Sequence, residues 1–444
     1  MFAPLHKQKF SSAQIILTGF ALVILTGALL LMLPIASRSG TWTPFLDTLF
    51  TSTSAVCVTG LVLYDTATHW TLFGQMVILV LIQIGGMGVI TVAAAIAMLS
   101  GRRITLRQRN TMQDAISAPQ VGGVVRFTGF ILRGICIVEL TGAALLSLVF
   151  VRDYGFLKGI WMGIFHSISA FCNAGFDLLG EGHPFSSLMA YADNAVVTLV
   201  IGHLIIIGGL GFLTWEDICR NKFRFIRYRM QSKVILVSTA ILITLPALYF
   251  FFFEFSDLPF AARAWGSWFQ SVTPRTAGFN TLDYGSVSET GQLITSALMV
   301  IGGAPGSTAG GMKNTTLAVV IACTAAVFQK RKDGQYFGRR LSTDTVKDAV
   351  AIFLLYLTTF LVGGMLISRI ESLPLISCLF ESASAVGTVG LTVGITTSLG
   401  TASKLILITE MFFGRVGGLT LIFATIPAAK NLLSKLPEEK IAVG

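Results

Sequence analysis

A short segment that could coordinate a cation through its backbone stands near the end of the sequence, at Thr388, Val389 and Gly390. It follows a stretch of helical character that begins at Phe380. Segments of this kind offer backbone carbonyl oxygens to a dehydrated monovalent cation. The glycine allows a positive φ or a sharp turn that other residues resist. One Thr-Val-Gly tripeptide is a weak signal, so its weight depends on whether the pattern recurs.

The pattern recurs three more times, at residues 50–60, 165–175 and 269–278. Each copy begins with Phe-x-Ser, continues through a small or hydroxyl-bearing residue, and ends with a glycine followed by an apolar side chain. The third copy is one residue shorter than the others, which leaves its register open. Internal repetition indicates repeated structural units. The candidate cation-binding residues of the four copies are Val58, Thr59, Gly60, Asn173, Ala174, Gly175, Thr276, Ala277, Gly278, Thr388, Val389 and Gly390.

The composition indicates a membrane protein. Hydrophobic residues make up 53% of the 444 residues and charged residues only 12%, and the mean hydropathy is +0.76. Apolar runs of about 20 residues are typical of membrane-spanning helices. The net charge of +10 is confined to particular loops, so we expect no nucleic-acid partner. The six cysteines form no C-x-x-C pair, and no Ser/His/Asp or His/Glu constellation has useful spacing, so we expect neither a metal-ligating cluster nor an enzyme.

The chain divides into four similar units, at residues 1–109, 110–232, 233–346 and 347–444. Each unit reads as a spanning helix, a short pore helix, a filter strand and a second spanning helix. The expected fold is an all-α polytopic membrane protein with four tandem helix–pore loop–helix units. They would surround a central pore with pseudo-fourfold symmetry, as in a potassium channel. The second helix should be continuous, for example over about residues 70–99 and 403–428, in every unit except the third.

Charge distribution predicts the orientation. The loops between units are rich in Lys and Arg, so the positive-inside rule places them, and both termini, in the cytoplasm. Acidic residues that follow the filter glycines would lie outside and attract cations to the pore mouth. The short helices would direct their partly negative C-terminal ends at the pore, which also favours cations. The acidic residues in question are Asp65, Asp177, Glu181, Asp193, Asp283 and Glu289.

The second helix of the third unit is interrupted by a glycine-rich run at residues 301–313. Several glycines and Pro305 cannot sustain a helix. Non-helical backbone at membrane depth is tolerated where it lines a cavity, so we predict a movable loop across the inner pore. A static kink is the alternative. The candidate gate residues on this loop are Gly302, Gly303, Gly306, Ser307, Thr308, Gly310, Gly311 and Lys313.

Arg415 lies within the last apolar helix and completes the predicted gate. An arginine at mid-membrane costs on the order of 2.5–3.5 kcal/mol or more, so it normally faces the protein interior. In the cavity below the filter it would repel cations and pair with the polar loop. Snorkelling to the membrane surface is the alternative, but apolar residues flank Arg415 for many positions on both sides.

These features together resemble the Trk/Ktr/HKT superfamily of cation transporters over nearly the whole chain. The resemblance rests on the fourfold plan, the four filter glycines, the Gly-Ser-Thr-Ala-Gly-Gly run at 306–311 and Arg415. With eight spans, the chain is most similar to the bacterial Ktr membrane subunits, and the longer Trk subunits are next nearest. Glycine at Gly60, where sodium-selective plant relatives often carry serine, favours potassium as the transported ion.

The resemblance implies potassium uptake through a channel-like path in a bacterial cell membrane. It also implies a homodimer with one pore per subunit, and a cytosolic ring of RCK-type nucleotide-binding regulatory subunits docked on the basic loops and tail. K⁺ would bind at the filter carbonyls as the transported ion, and no cofactor is expected on the chain itself.

Other functions stay open from the sequence. A sodium- or proton-coupled potassium carrier would use the same membrane location, although carriers often show inverted repeats. A less selective potassium and sodium transporter is also open, because only the fourth filter segment reads Thr-Val-Gly. A purely structural scaffold would have no use for four filter-like strands.

Overall fold

The computed structural model describes residues 11–99, 105–116 and 123–425, together with residues 439 and 441. The basic positions Lys7 and Lys9, the segment 101–104 and the tail with Lys430 and Lys435 lie outside these residues. The described part of the chain is mostly helical. Its α-helices are α1 Ser12–Met32, α2 Phe45–Val56, α3 Thr66–His69, α4 Leu72–Met87, α5 Val89–Leu99, α6 Leu106–Ile116, α7 Val124–Tyr154, α8 Phe156–Phe171, α9 Ala195–Gly209, α10 Phe212–Asn221, α11 Met230–Tyr249, α12 Phe260–Val272, α13 Glu289–Val300, α14 Asn314–Phe328, α15 Thr343–Glu371, α16 Leu375–Gly387, α17 Thr401–Val416 and α18 Gly418–Thr425.

Minor elements complete the fold. A π-helical turn at Phe250–Glu254 extends α11, and short 3-10 turns occur at Pro34–Ala36, Met189–Tyr191, Phe225–Arg227, Tyr284–Ser286 and Thr396–Ser398. The strands β1 Gln335–Tyr336 and β2 Arg339–Arg340 form a small antiparallel hairpin.

Each unit begins with one long apolar helix that is long enough to cross a membrane. These helices are α1, α7, α11 with its π-helical extension, and α15. They surround the four pore helices α2, α8, α12 and α16, whose C-terminal halves are buried. The expected repeat of a spanning helix followed by a pore helix is therefore present in all four units.

The serine of Phe-x-Ser bonds the pore helix to its spanning helix in three of the four units. All four phenylalanines are fully buried. Ser52 Oγ donates to the Ile24 carbonyl at 2.7 Å, and Ser167 Oγ donates to the Glu139 carbonyl at the same distance. Ser382 Oγ lies 2.9 Å from the Phe360 carbonyl. The same hydrogen bond to the spanning helix therefore explains why serine recurs in three of the units. In the third unit the equivalent serine bonds within its own helix.

The prediction that only the third unit has a broken second helix is wrong. The chain bends by 95° between α4 and α5 and by 98° between α9 and α10. Gly88, Gly211 and Gly417 interrupt the second helices of units one, two and four with nearly identical backbone angles, φ 83–89° and ψ 133–139°. Positive φ combined with extended ψ is readily available only to glycine. All four second helices are therefore broken.

Candidate ion pathway

The four filter segments share one backbone conformation. In each, the glycine and the residue two positions before it have positive φ. The values are 52° and 91° at Val58 and Gly60, 58° and 70° at Asn173 and Gly175, 74° and 82° at Thr276 and Gly278, and 51° and 95° at Thr388 and Gly390. The third segment therefore has the same register as the others, and its missing residue falls before Thr276.

The four glycines form a closed ring in chain order. A Cβ atom on Gly60 would lie 2.5 Å from the carbonyl oxygen of Ala174, and one on Gly175 would lie 2.6 Å from that of Ala277. A Cβ on Gly278 would lie 2.2 Å from the Val389 oxygen. The ring closes because a Cβ on Gly390 would lie 2.2 Å from the Thr59 oxygen. Each glycine thus abuts a backbone carbonyl of the next unit.

Hydroxyl groups behind the ring fix its backbone. Ser54 Oγ accepts from the Gly60 amide at 3.0 Å, and Ser384 Oγ accepts from the Gly390 amide at 2.9 Å. In the second unit Ser169 Oγ donates to the Phe176 carbonyl at 2.7 Å, and Thr273 makes the matching bond in the third unit. The sequence contained these hydroxyls as part of the repeat, but their bonding role was not predicted.

The variable residue of Phe-x-Ser secures the segment that leaves the filter in three of the units. His166 Nε2 accepts from the Leu178 amide at 3.3 Å, while its Nδ1 lies 2.7 Å from the Met162 carbonyl. Glu381 is fully buried, and its carboxylate accepts from Thr392, from the Val393 amide at 3.3 Å and from Thr396 at 2.8 Å. Similarly, Gln270 accepts from the hydroxyl of Tyr284.

The glycine-rich loop lies directly beneath this ring. A Cβ on Gly310 would lie 2.1 Å from Thr388 Oγ1, so the loop packs against the inner end of the fourth filter segment. The Gly302 amide donates to the Met312 carbonyl at 2.7 Å, which closes the loop at its base. All the candidate gate residues on the loop are therefore brought together below the filter.

Loop contacts satisfy backbone groups freed by the breaks in the second helices of units two and four. The Phe212 amide donates to the Gly306 carbonyl at 2.8 Å, and the Ala304 amide donates to the Gly209 carbonyl at 2.9 Å. Thr308 Oγ1 donates to the Phe171 carbonyl at 2.9 Å, at the end of pore helix α8. Broken helix ends need such partners away from water. The loop and the helix breaks are thus one connected structure.

Arg415 joins the loop to the first and fourth units. Its guanidinium donates to the carbonyls of Thr308 and Gly85, and to that of Gly86 at 3.0 Å. No carboxylate pairs with it among the described residues. Lys313 donates through Nζ to the Ala309 carbonyl at 2.7 Å. A cavity of about 230 Å³ is lined by both cations on one side of the loop.

The acidic residues after the filter glycines are less free than the sequence suggested. Glu181 pairs with Lys158 and lies 3.7 Å from Arg38, so two cations already contact its carboxylate. Asp65 accepts from the Phe185 amide at 3.0 Å as well as capping α3. Burial, assisted by the nearby Asp65, raises the pKa of Asp177 to about 7.

Comparison with known proteins agrees with this geometry. The family model described as TrkH, cation transport protein, matches residues 7–434. The chain is 40% identical to the potassium/sodium uptake protein NtpJ of Enterococcus hirae, covering 99% of the chain and 98% of that protein. It is also 40% identical to the Ktr system potassium uptake protein B of Bacillus subtilis, covering 98% of the chain and 97% of that protein.

A solved structure has the same fold. The potassium transporter TrkH from Vibrio parahaemolyticus superposes with a TM-score of 0.75 at 19% identity, covering 96% of this chain and 87% of that one. This likeness confirms the expected polytopic helical architecture. The relatives are named as transport and uptake proteins, which confirms that the chain is no enzyme. The chain belongs to the TrkH family of cation transport proteins, as its resemblance to the Trk/Ktr/HKT superfamily predicted.

Proposed function

We propose that the chain is the membrane-embedded subunit of a potassium uptake system and conducts K⁺ along a channel-like path. The observation that carries the proposal is the closed ring of Gly60, Gly175, Gly278 and Gly390, in which backbone carbonyls of all four units lie side by side. Carbonyl oxygens replace the hydration shell of a dehydrated monovalent cation. The names of the relatives, potassium uptake and potassium/sodium uptake proteins, support the same class of ion.

The four segments are chemically unequal, which bears on selectivity. Asn173 and Thr276 occupy the position in their segments that Val58 and Thr388 occupy in the other two. The side chains of Asn173 and Thr276 lie 3.3 Å apart. A filter assembled from unlike segments presents a different electrostatic environment to the ion on each of its four sides. The second candidate function is therefore a transporter that discriminates against Na⁺ less strongly than a filter of four identical segments would. One relative is named for both ions, which favours testing it.

The loop at 302–313 and Arg415 form the proposed gate. In this structure the loop crosses below the filter and donates to carbonyls of units two and four. Arg415 donates both to the Thr308 carbonyl of the loop and to carbonyls of unit one. Opening would require the Arg415 guanidinium to release the Thr308 carbonyl. The positive charges of Arg415 and Lys313 would also repel a cation that leaves the filter.

A cytosolic regulatory partner fits the basic surface between units two and three. Phe223 and Ile226 are almost fully exposed beside Lys222, Arg224 and Arg227. Lys233 lies over both the Phe225 and Phe337 rings, which joins this loop to the β1–β2 hairpin. We propose that RCK-type nucleotide-binding subunits dock here, that the chain is a homodimer, and that it resides in the bacterial cell membrane with both termini cytoplasmic.

The decisive experiment is ion flux into proteoliposomes that contain the purified chain, with K⁺, Rb⁺, Na⁺ and Li⁺ compared. Uptake of K⁺ and Rb⁺ driven by membrane potential alone is the expected result. Comparable Na⁺ uptake would favour the less selective transporter. Flux that requires an opposing Na⁺ or proton gradient would overturn the channel-like path in favour of a coupled carrier.

A further inference from the structure

Two cavities occupy equivalent places in the first and fourth units. One, of about 420 Å³, lies between α1 and α4, and the other, of about 480 Å³, lies between α15 and α17. The repeat aligns them residue by residue, because Gly27 faces Ser52 in the first unit as Gly363 faces Ser382 in the fourth. Both cavities are flanked by exposed apolar side chains of the spanning helices, so both open toward the lipid.

The cavity of the fourth unit is more polar than its counterpart. The first-unit cavity is apolar apart from Thr26. Three threonines of the fourth unit take the places of apolar residues of the first, with Thr358, Thr359 and Thr409 replacing Leu22, Val23 and Val80. The two cavities are therefore similar in volume, but only that of the fourth unit is lined by several hydroxyl groups, of which Thr359 and Thr409 donate to carbonyls of their own helices.

Glu410 is the most notable of the added groups. Leu81 packs against Gly27, Leu204 packs against Gly142, and Glu410 packs in the same way against Gly363. A leucine therefore satisfies the packing at this position, and the carboxyl group is not needed to fill space. Glu410 is 3% exposed, and its Oε2 has no hydrogen-bond partner among the described residues. An unpartnered buried acceptor is costly.

The hydrogen bonds of Ser382 indicate what Oε2 can bind. Ser382 Oγ lies 2.9 Å from the Phe360 carbonyl and 2.8 Å from Glu410 Oε1, but a hydroxyl carries one proton. In units one and two the serine proton goes to the spanning-helix carbonyl. If Ser382 does the same, Glu410 donates from Oε1 to Ser382 and presents Oε2 as a carbonyl-like acceptor. Within the described part of the chain Oε2 is buried and unpartnered, so a ligand that satisfies it must carry a hydrogen-bond donor.

We propose that this cavity binds a membrane-dissolved amphiphile whose apolar chain ends in a hydrogen-bond donor, such as a long-chain alcohol or amine. The donor group bonds Glu410 Oε2, and the chain lies along Val362, Leu366 and Leu405, which are 43%, 47% and 47% exposed. A ligand bound at Glu410 would affect the filter through hydrogen bonds: Glu410 contacts Ser382 of α16, and Ser384 of the same helix accepts from the Gly390 amide. This effect on flux rests on the proposed function, whereas the binding does not.

Binding can be tested chemically with dicyclohexylcarbodiimide. The carboxylic acid of Glu410 adds across one C=N bond, its oxygen bonding the central carbon and its proton passing to the nitrogen, so nothing leaves. We expect mass spectrometry to locate the adduct on Glu410 and decanol, but not decane, to slow its formation. Glu139 is the matched control, because both its oxygens accept from Gln83 Nε2, at 3.0 and 3.2 Å.

Two variants complete the labelling test. Neither E410L nor E410Q should be labelled at this position, and E410Q keeps the size of the side chain if E410L does not fold. Equal labelling of Glu139 and Glu410 would overturn the proposal, as would an absence of protection by decanol.

Flux provides the second test. Decanol should lower the K⁺ flux of the unmodified protein by about fivefold, which is at the lower end of the coupling usually found between two sites. The K⁺ flux of E410L should be the same with and without decanol. Equal inhibition of both proteins would refute coupling between this cavity and the filter. Labelling needs no flux, so failure of the proposed transport function would leave the binding result interpretable.

Discussion

Gly60 has no room for a side chain. A Cβ there would lie 2.5 Å from the Ala174 oxygen, and the φ of 91° disfavours any other residue. We expect Gly60→Ser to displace the Ala174 carbonyl and to admit more Na⁺, lowering the K⁺/Na⁺ flux ratio in proteoliposomes. Gly129→Ser is the control, because beyond the neighbouring backbone of its own helix no atom of the described residues lies within 4 Å of a Cβ at Gly129. An unchanged ratio in Gly60→Ser would remove Gly60 from the filter.

Arg415 combines a charge with hydrogen bonds, and two substitutions separate them. Arg415→Ala should raise cation flux because both the repulsion and the bond to the Thr308 carbonyl are lost. Arg415→Lys keeps the charge but cannot reproduce the forked bonding of a guanidinium. If the lysine variant has nearly the same flux as the unmodified protein, the barrier to cation flux is due to the positive charge. High flux in both variants would assign it to the loop anchor, and no change in either would exclude a gating role.

Asp177 should make stability depend on pH. Its pKa is raised from 3.8 to about 7 in the folded protein, which therefore binds the proton more tightly than the unfolded chain does. Stability from this group is fully present below about pH 4 and falls as pH rises toward 7. We expect Asp177→Asn to be more stable than the unmodified protein at pH 8, by up to about 4 kcal/mol, and to differ less at pH 5.

Thermal unfolding in detergent at both pH values provides the measurement. Asp193→Asn, an exposed position in the same loop, is the control and should show no such change. Equal stabilisation of Asp177→Asn at the two pH values would contradict the assignment.

At the scale of elements, the hydrogen bonds between pore helix α16 and the segment that follows its filter should affect ion selectivity. Glu381→Ala leaves Thr392, the Val393 amide and Thr396 without their acceptor, at a cost of about 1–3 kcal/mol for each group that stays buried and unpaired. We expect a lower unfolding temperature together with a lower K⁺/Na⁺ flux ratio.

Thr51→Ala is the matched control for Glu381→Ala. Thr51 occupies the same position of Phe-x-Ser, but among the residues that the structure describes its hydroxyl bonds only the Asp47 carbonyl of its own helix, at 2.9 Å. A fall in stability without any change in the flux ratio of Glu381→Ala would reduce Glu381 to a packing role.

The second helices show where sequence reasoning ends. The break in the third unit was predictable because several glycines and Pro305 are incompatible with a helix. Gly88, Gly211 and Gly417 each lie among other glycines in an apolar run, but such small residues also allow continuous membrane helices to pack closely. Their breaks depend on partners distant in sequence, such as the loop carbonyl of Gly306 that receives the Phe212 amide. The glycine clusters alone do not distinguish a break from close packing of a continuous helix.

Buried carboxylates escaped the sequence analysis for a related reason. Arg415 was the clearest intramembrane charge, yet Glu139, Glu381 and Glu410 are buried in the structure, whereas Arg415 is only partly buried. A single acidic residue in an apolar run does not reveal whether it faces lipid, a pore or another helix. The four glycines were predictable because their conformational requirement is local, whereas the partners of these carboxylates are tertiary.

At the scale of the whole molecule, the fourth unit must close against the first. Lys404 Nζ lies 2.9 Å from Asp47 Oδ1 in a pair whose side chains are only 17% and 15% exposed. The Tyr64 hydroxyl donates to the other Asp47 oxygen at 2.8 Å. The bond of Arg415 to the Gly86 carbonyl closes the same junction on the inner side of the filter.

Breaking this closure should destabilise the ring. We expect Lys404→Met to lower the free energy of unfolding by about 1–3 kcal/mol, because it leaves the Asp47 carboxylate partly buried without its cation. The double variant with Asp47→Asn should lose less than the sum of the single changes, which a double-mutant cycle in detergent measures. Strict additivity would show that the pair makes no contribution.

Because the ring is made by one chain, each lining position exists once. A substitution in a channel of four identical subunits enters the pore four times, whereas replacing Asn173 alters a single quadrant and leaves the three facing segments as they were. Each quarter can therefore change independently, provided that the glycine contacts around the ring persist. Mutational effects on permeation should accordingly be graded, with single changes shifting ion preference in small increments.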